Sequence, residues 1–254
     1  MKKKRHSKFF LRNWIKPIVS TSHLKYIIPK YIKYLRDWKK YSRMKYAEEL
    51  SLRNSIPSLF DDLVKTPFDP HYFYQDIWAF KRVFELGSDS HVDVGSNVKF
   101  IGFSTIIKKV TFIDIRPLIA NLDNLKSIKG SILSIPFEDN SINSISCLHV
   151  AEHIGLGRYG DKLDPLGTKK AAKELVRVLA KNGNLLFSLP IGKPRLCFNS
   201  HRIHSTDQIL EYFSDLELVE LSGVDDSGRY IQNINKNILD SCSYGCGFFW
   251  FTKK

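Results

Sequence analysis

Two short stretches carry side chains that could move a proton or hold a polar ligand. The first, Val150-Ala-Glu-His-Ile-Gly-Leu-Gly-Arg-Tyr-Gly-Asp161, sets Glu152, His153, Arg158, Tyr159 and Asp161 among three glycines. Glycines beside an Arg, a Tyr and an Asp suit a shaped polar loop that holds a sugar or phosphate; the plainer use of the same run is an ordinary flexible loop. The second stretch, Phe198-Asn-Ser-His-Arg-Ile-His204, adds Asn199, His201, Arg202 and His204. Histidine and carboxylate exchange protons most readily near neutral pH, so His153, His201, Glu152 and Asp161 are the candidate catalytic groups. Arg158, Tyr159, Asn199, Arg202 and His204 are the candidate substrate contacts. The bland alternative for His153 is a helix-start residue that packs locally. Glu152, His153, Asp161 and His201 are also of metal-ligand type, but their spacing establishes no site, and no metal is expected.

A different chemistry is signalled upstream. Val92-Asp-Val-Gly-Ser-Asn97 closes an apolar run with Gly95, which lets the backbone turn tightly enough for a nucleotide-like ligand to approach. Nineteen residues beyond Gly95, Phe112-Ile-Asp-Ile115 closes the next apolar run with Asp114. A carboxylate about twenty residues on is what a ribose diol needs as its hydrogen-bond acceptor. The competing reading is that Asp93 and Asp114 merely cap or terminate strands. A third segment, from Gly130 through Ser131 and Ile132 to a Pro136-Phe137 turn, leads into the run that ends at His149.

The elements that must position these residues follow from periodicity. Apolar strand-like runs at 91–94, 110–115, 127–132, 144–149 and 184–189 alternate with helical stretches, which predicts a parallel sheet covered by helices. In such a sheet the segments after the fourth and fifth strands both leave the carboxyl edge and converge over a ligand. Asp69-Pro70 supplies an N-cap and first-turn proline for a helix to about Leu86, with Ile77, Phe80, Val83 and Phe84 facing inward. A second helix is expected over 168–180, with Ala172, Leu175, Val176 and Leu179 on one face and Asn182-Gly183 as its stop. Ser205-x-x-Gln208 is a capping box. Two final β-rich stretches, 216–224 and 244–251, pair antiparallel at one edge with no helix between them.

Charge divides the chain. Of 254 residues carrying a net charge of +13, the first 47 hold fifteen Lys or Arg and one acid, Asp37, so the remainder is close to neutral. Over 24–50 the apolar residues Ile28, Tyr31, Ile32, Leu35 and Trp38 recur at helical spacing, while Lys30, Lys33, Arg36, Lys40 and Arg43 fall largely elsewhere. Such a basic amphipathic helix suits an anionic membrane surface; equally, it could pack on its own domain with a solvated basic face. The start Met1-Lys-Lys-Lys-Arg5 is not followed by a secretion signal, because Arg12 and Lys16 break the apolar stretch from Phe9. With no membrane-spanning run, the expected location is the cytoplasm, at most peripheral on the inner membrane face. Cys147, Cys197, Cys242 and Cys246 have no disulfide-framework spacing and read as reduced, packed thiols. The expected organisation is an arm over 1–50, a helical lead-in over 51–88 and an α/β domain over 89–254.

The order of these motifs resembles class I S-adenosylmethionine-dependent methyltransferases. The matching features are the Gly95 loop, the Asp114 acid, Ser131 followed by Pro136-Phe137-x-Asp139, and then Glu152-His153-Ile154. Glu174 to Pro190 is similar to the same fold's helix and fifth strand. The resemblance implies a Rossmann-like, mostly parallel seven-stranded sheet with helices on both faces, an antiparallel C-terminal edge, and S-adenosyl-L-methionine as cofactor. It places Asp93, Gly95, Ser96 and Asn97 at the methionine end, Asp114 and Ile115 at the ribose and adenine, Ser131 and Ile132 at the adenine edge, and His149 beside the sulfonium. Two departures stand out: Gly95-x-Asn97-x-Lys99 replaces a three-glycine loop, and Ser131 stands where an acid often meets the adenine. More narrowly, Asp93 to Asn97, Phe112 to Pro117, Cys147 to Asp161 and Phe198 to His204 resemble an uncharacterised bacterial family found near surface-polysaccharide genes. The implied function is methylation of a sugar or lipid-linked glycan intermediate at the cytoplasmic membrane face. The alternatives are a catalytically inactive module docking on a polysaccharide-assembly complex and, ranked last because the core is near neutral, a nucleic-acid methyltransferase.

Overall fold

The computed structural model describes residues 24–254. The basic start at Met1–Arg5 and the apolar stretch from Phe9, both part of the expected arm, lie outside the described residues. Two compact units divide at Pro67/Phe68.

In the first unit, helix α1 (Leu24–Tyr41) has the amphipathic form expected for the arm. Ile28, Ile32 and Leu35, spaced as one helical face, are exposed, while Tyr31 and Trp38 are half-buried. Lys33 pairs with Asp37 one turn on at 2.9 Å, and Lys30 pairs with Asp62. No helix among the described residues is long and apolar enough to cross a membrane.

The second unit begins with helix α2 (Pro70–Glu85), N-capped by Asp69, whose Oδ1 accepts from the His71 backbone N–H at 2.9 Å. Its buried stripe matches its apolar residues only in part: Val83 is buried and Phe80 packs against the core as expected. Ile77 and Phe84 are exposed, and the buried face is His71, Gln75, Trp78, Ala79, Arg82 and Val83. The sheet beneath offers polar partners, so polar side chains can occupy that face: Trp78 Nε1 donates to Glu220 Oε1 at 3.0 Å, and Arg82 Nε and Nη2 donate to Glu220 Oε2 at 2.8 and 2.6 Å.

The chain then alternates through β1 (Ser90–Val94), α3 (Val98–Ser104), β2 (Lys109–Asp114), β3 (Leu125–Lys129), β4 (Ile142–Leu148), α4 (Gly167–Val178) and β5 (Leu179–Ile191). A short hairpin follows, β6 (Arg195–Cys197) with β7 (His201–Ile203), then α5 (Thr206–Tyr212), β8 (Glu217–Val224), β9 (Tyr230–Ile231), α6 (Lys236–Ser241) and β10 (Gly245–Thr252). The main sheet runs β3-β2-β1-β4-β5-β10-β8-β9, parallel from β3 to β5 and antiparallel beyond. It has eight strands where seven were expected; the extra one, β9, is a two-residue edge strand. Ser205 and Gln208 close a reciprocal capping box at the start of α5, as their spacing predicts. The third strand ends at Lys129, earlier than expected, because Ser131 and Ser134 bridge each other in a tight turn. The last two long strands pair antiparallel as expected, but α6 lies between them. Helix α4 stops at Val178, before Asn182-Gly183, because Leu179 already pairs with Ile142.

Alternation along each strand sends neighbouring side chains to opposite faces. Ile145, Cys147, Leu185, Phe187 and Phe249 join the core on one face, with Ala172 and Leu175 of α4 and Ile209 of α5. Leu148, Leu186 and Phe248 join Trp78 of α2 and Phe100 of α3 on the other. The sheet is thus buried on both sides, and its carboxyl edge is left for chemistry.

Candidate functional site

At that edge β1 hands over to α3 through Gly95 and Ser96. Gly95 sits at φ +71°, which an L side chain rarely adopts, and a Cβ there would lie 3.2 Å from both Val150 methyls and 3.7 Å from Asp114 Oδ2. The Gly95 turn and the Asp114 carboxylate are therefore neighbours, as the sequence spacing requires. They border one groove with Ile115, Ser131, Ile132, Val150, Tyr159 and Asp161. Asp114 Oδ1 accepts from the Arg116 backbone N–H at 2.7 Å; Oδ2 has no hydrogen-bond donor among the described residues.

Asp93 is placed differently from the expectation. It is fully buried beneath the turn and borders neither the groove nor the neighbouring cleft. Its Oδ1 accepts from the Ser96 backbone N–H at 2.9 Å, and its Oδ2 accepts from the Ser146 hydroxyl. Ser146 and Ser144 also meet His91 Nε2 and Nδ1, each at 2.8 Å. Burial raises the Asp93 carboxyl to about 7 against these hydrogen bonds and lowers the His91 imidazole to about 3. Asp93 thus holds the Gly95-Ser96 turn in place from below. Ser96 Oγ accepts from the Leu148 backbone N–H at 3.0 Å and fixes the turn against β4.

Beside the groove, and sharing Gly95, His149, His153 and Tyr159 with it, lies a cleft of about 430 Å³. Of the other candidates, Ser96, Asn97, Glu152, Arg158 and His201 also line it. Of the two departures from the glycine loop, Asn97 turns back to cap α3, its Oδ1 accepting from the Lys99 backbone N–H at 2.9 Å. Lys99 is exposed and lines neither cavity.

Glu152 and His153 are the chemically distinctive pair. Glu152 is 0% exposed and neither carboxyl oxygen has a hydrogen-bond partner among the described residues. Burial pushes it up to about 8, so it holds a proton at neutral pH. His153 Nδ1 lies 2.6 Å from the Ser200 carbonyl, which calls for the Nδ1–H tautomer and leaves a lone pair on Nε2, 3.6 Å from Glu152 Oε1. Burial first, and the nearby Arg158 charge, lower the imidazole to about 4, with the Ser200 hydrogen bond opposing. Both groups are therefore held neutral. His201 is steadied by Ser200 Oγ, 2.9 Å from its Nδ1, and packs on Tyr244 with ring centroids 5.3 Å apart.

Three candidates serve the scaffold instead, and a fourth, Asn199, lies away from the cleft. Both Asp161 oxygens are used: Oδ2 accepts from the Gly155 N–H at 2.6 Å and Oδ1 from the Tyr159 N–H at 3.3 Å. Partial burial opposes its ionisation, but these backbone bonds win and its carboxyl stays below the usual range. Asp161 thus shapes the glycine loop and borders the groove, not the cleft. Arg202 is spent on backbone carbonyls, Ile154 at 2.6 Å and Asp164 at 2.9 Å. His204 is buried against Tyr212, and Asn199 is exposed; neither lines the cleft.

The sequence reading missed the opposite wall: Asp69, His71 and Tyr72 at the start of α2, and Tyr244 just before β10. His149, at φ +56° where β4 ends, packs on Tyr72 with tilted rings and centroids 4.8 Å apart, and its Nδ1 meets Gln75 Oε1. The available signal was His71 and Gln75 four residues apart on a helix whose apolar stripe was otherwise poorly defined.

Strand order, the glycine turn and the acid after β2 define a class I methyltransferase-like Rossmann fold. Solved structures agree at the level of fold. An N-methyltransferase, NodS, from Bradyrhizobium japonicum WM9, in complex with S-adenosyl-L-homocysteine, is 14% identical with a TM-score of 0.51, over 78% of this chain and 91% of its own. A geranyl diphosphate C-methyltransferase from Streptomyces coelicolor A3(2) is 13% identical with a TM-score of 0.52, over 72% and 77%. A [4+2]-cyclase, SpnF, is 12% identical with a TM-score of 0.50, over 72% and 80%. No curated protein matches the sequence. Residues 108–239, a little over half of the chain, match the family described as "Caenorhabditis protein of unknown function, DUF268", and the chain belongs to that family.

Proposed function

We propose that the protein is an S-adenosylmethionine-dependent methyltransferase acting on a hydroxyl of a sugar or lipid-linked glycan. The observation that carries this reading is the Asp114 carboxylate beside the Gly95 turn on the border of one groove, its Oδ2 without a hydrogen-bond donor among the described residues. When bound, the cofactor supplies an electrophilic methyl group. Asp114 Oδ2 would accept from the ribose diol, Ser131 and Ile132 would meet the adenine, and Gly95 and Ser96 would face the methionine end. His153 Nε2 carries the lone pair that would take the acceptor's hydroxyl proton, and Arg158 and Tyr159 stand ready to orient the acceptor. The Ile28, Ile32 and Leu35 face of α1, among lysines, supports a peripheral membrane role that would bring the enzyme to a lipid-linked acceptor. Of the two residues that depart from the glycine loop, Lys99 borders neither cavity, whereas Asn97 lines the cleft with its Oδ1 turned to the Lys99 N–H.

Calorimetry of the full chain with S-adenosylhomocysteine tests the reading. Charge-assisted hydrogen bonds contribute about 1.5–3 kcal/mol each. Asp114→Asn keeps one acceptor oxygen but no charge, so its Kd should rise about 10- to 100-fold. Absence of binding by folded wild-type protein at millimolar ligand, or an unchanged Kd in Asp114→Asn, refutes it.

A further inference from the structure

Behind the cleft, three donors come together from three separate elements; two of them, His71 and Cys246, have no part in the methyl-transfer reading, and the third, His149, enters it only as the residue that the resemblance sets beside the sulfonium. His71 lies in the first turn of α2, His149 follows β4, and Cys246 is the second residue of β10. One ligand atom from each lies within 4.8 Å of the other two, and all three residues are buried. Cys246 is 0% exposed, while both imidazoles border the cleft.

We infer that His71, His149 and Cys246 form a binding site for one zinc-class divalent ion, with its remaining coordination position facing the cleft. Geometry is the first argument. With Zn–S near 2.3 Å and Zn–N near 2.05 Å, a tetrahedral ion holds sulfur and nitrogen about 3.6 Å apart. His149 Nε2 and Cys246 Sγ are 3.8 Å apart, so the ion needs a shift of only a few tenths of an ångström on that edge.

The second argument is orientation. His149 Nδ1 meets Gln75 Oε1, an acceptor, so Nδ1 carries the hydrogen and Nε2 presents a lone pair to Cys246. Gln75 is held in turn by the Ser188 hydroxyl. A ring whose other nitrogen donates to a fixed carbonyl is the usual arrangement of a metal-ligating histidine. The His71 ring packs against the Tyr244 ring, centroids 5.0 Å apart. Third, His149 sits at φ +56°, a left-handed conformation that costs a non-glycine residue about 1–2 kcal/mol and that persists where surrounding structure imposes it. That bend lies at the junction of cleft and donor cluster.

One thiolate with two imidazoles selects zinc or cobalt over magnesium or calcium. Binding releases the Cys246 thiol proton to solvent, and the open position would take water or an acceptor oxygen. The plainer account of the same contact is an S–H···N hydrogen bond in a dry core.

The test uses the full chain dialysed against chelator and then titrated with Co²⁺ alone, without cofactor, so its outcome is independent of methyl transfer. The expected result is one Co²⁺ per chain, displaceable by Zn²⁺, with a near-ultraviolet thiolate-to-cobalt band. Cys246→Ser should abolish the band, and His71→Ala should weaken binding about tenfold or more. A Cys147→Ala/Cys197→Ser/Cys242→Ser variant, in which Cys246 is the one remaining thiol, should keep the band, and this decides the matter even if Cys246→Ser fails to fold. No Co²⁺ binding at micromolar concentration by natively melting protein, a band that survives both cluster variants, or one lost in the natively melting triple-cysteine variant overturns the proposal.

Discussion

Replacing Glu152 with Gln should flatten the pH dependence of folding stability. The wild-type carboxyl has no hydrogen-bond partner among the described residues, and burial raises it from 4.5 to about 8. Between those values the native chain keeps a proton that the unfolded chain releases, so stability falls as pH rises through that window. At about 1.36 kcal/mol per pH unit, the gap sets an upper limit of about 5 kcal/mol. Side-chain relaxation and water entry reduce this to roughly 2–4 kcal/mol. The Gln amide has its own burial cost, but that cost does not vary with pH and cancels when one variant is compared at two pH values. Asp93, raised to about 7, tilts stability in the same direction in both proteins and also cancels. Urea melts at about pH 5 and about pH 8.5, in chelating buffer, should show a pH-induced loss smaller in Glu152→Gln by roughly 2–4 kcal/mol. Parallel pH profiles for the two proteins would mean that Glu152 ionises normally, and the assignment of a proton-holding acid beside His153 would fall.

Gly95→Ala should lower Tm by about 2–8 °C, because alanine at φ +71° costs about 1–2 kcal/mol and its methyl meets Val150 at 3.2 Å. The same variant should bind S-adenosylhomocysteine more weakly, and an unchanged melt and isotherm together would contradict the tight turn. Arg82→Met strands the buried Glu220 carboxylate, which should cost about 3–5 kcal/mol and lower Tm by about 6–20 °C. Adding Glu220→Gln to that variant should recover part of the loss in a double-mutant cycle; no recovery would show that the pair is not coupled.

Much of the fold was legible because its determinants are local. Period-two and period-3.6 patterns located the five parallel strands and the main helices, Asp69-Pro70 and Ser205-x-x-Gln208 marked two helix starts, and the spacing from Gly95 to Asp114 foretold that the two would share a groove. Adjacent parallel strands in register bring their carboxyl ends together, so an offset along the chain becomes a distance in space. The buried face of α2 was misread because apolarity alone was used to choose it, whereas Arg82 and Gln75 are buried on partners from β8 and β5.

What the chain could not disclose by itself is which distant residues meet. Asp161, Arg202 and His204 had suitable chemistry but were drawn into loop and core hydrogen bonding or packing, and Glu152 became distinctive only because the fold buried it without a hydrogen-bond partner among the described residues. His71, His149 and Cys246 are separated by most of the domain. Insertion of β10 antiparallel beside β5 brings its first residues to the edge where β4 ends and α2 begins, and only that strand order makes the three neighbours. Local pattern decides which side of an element is buried; packing of elements remote in sequence decides what that side encounters.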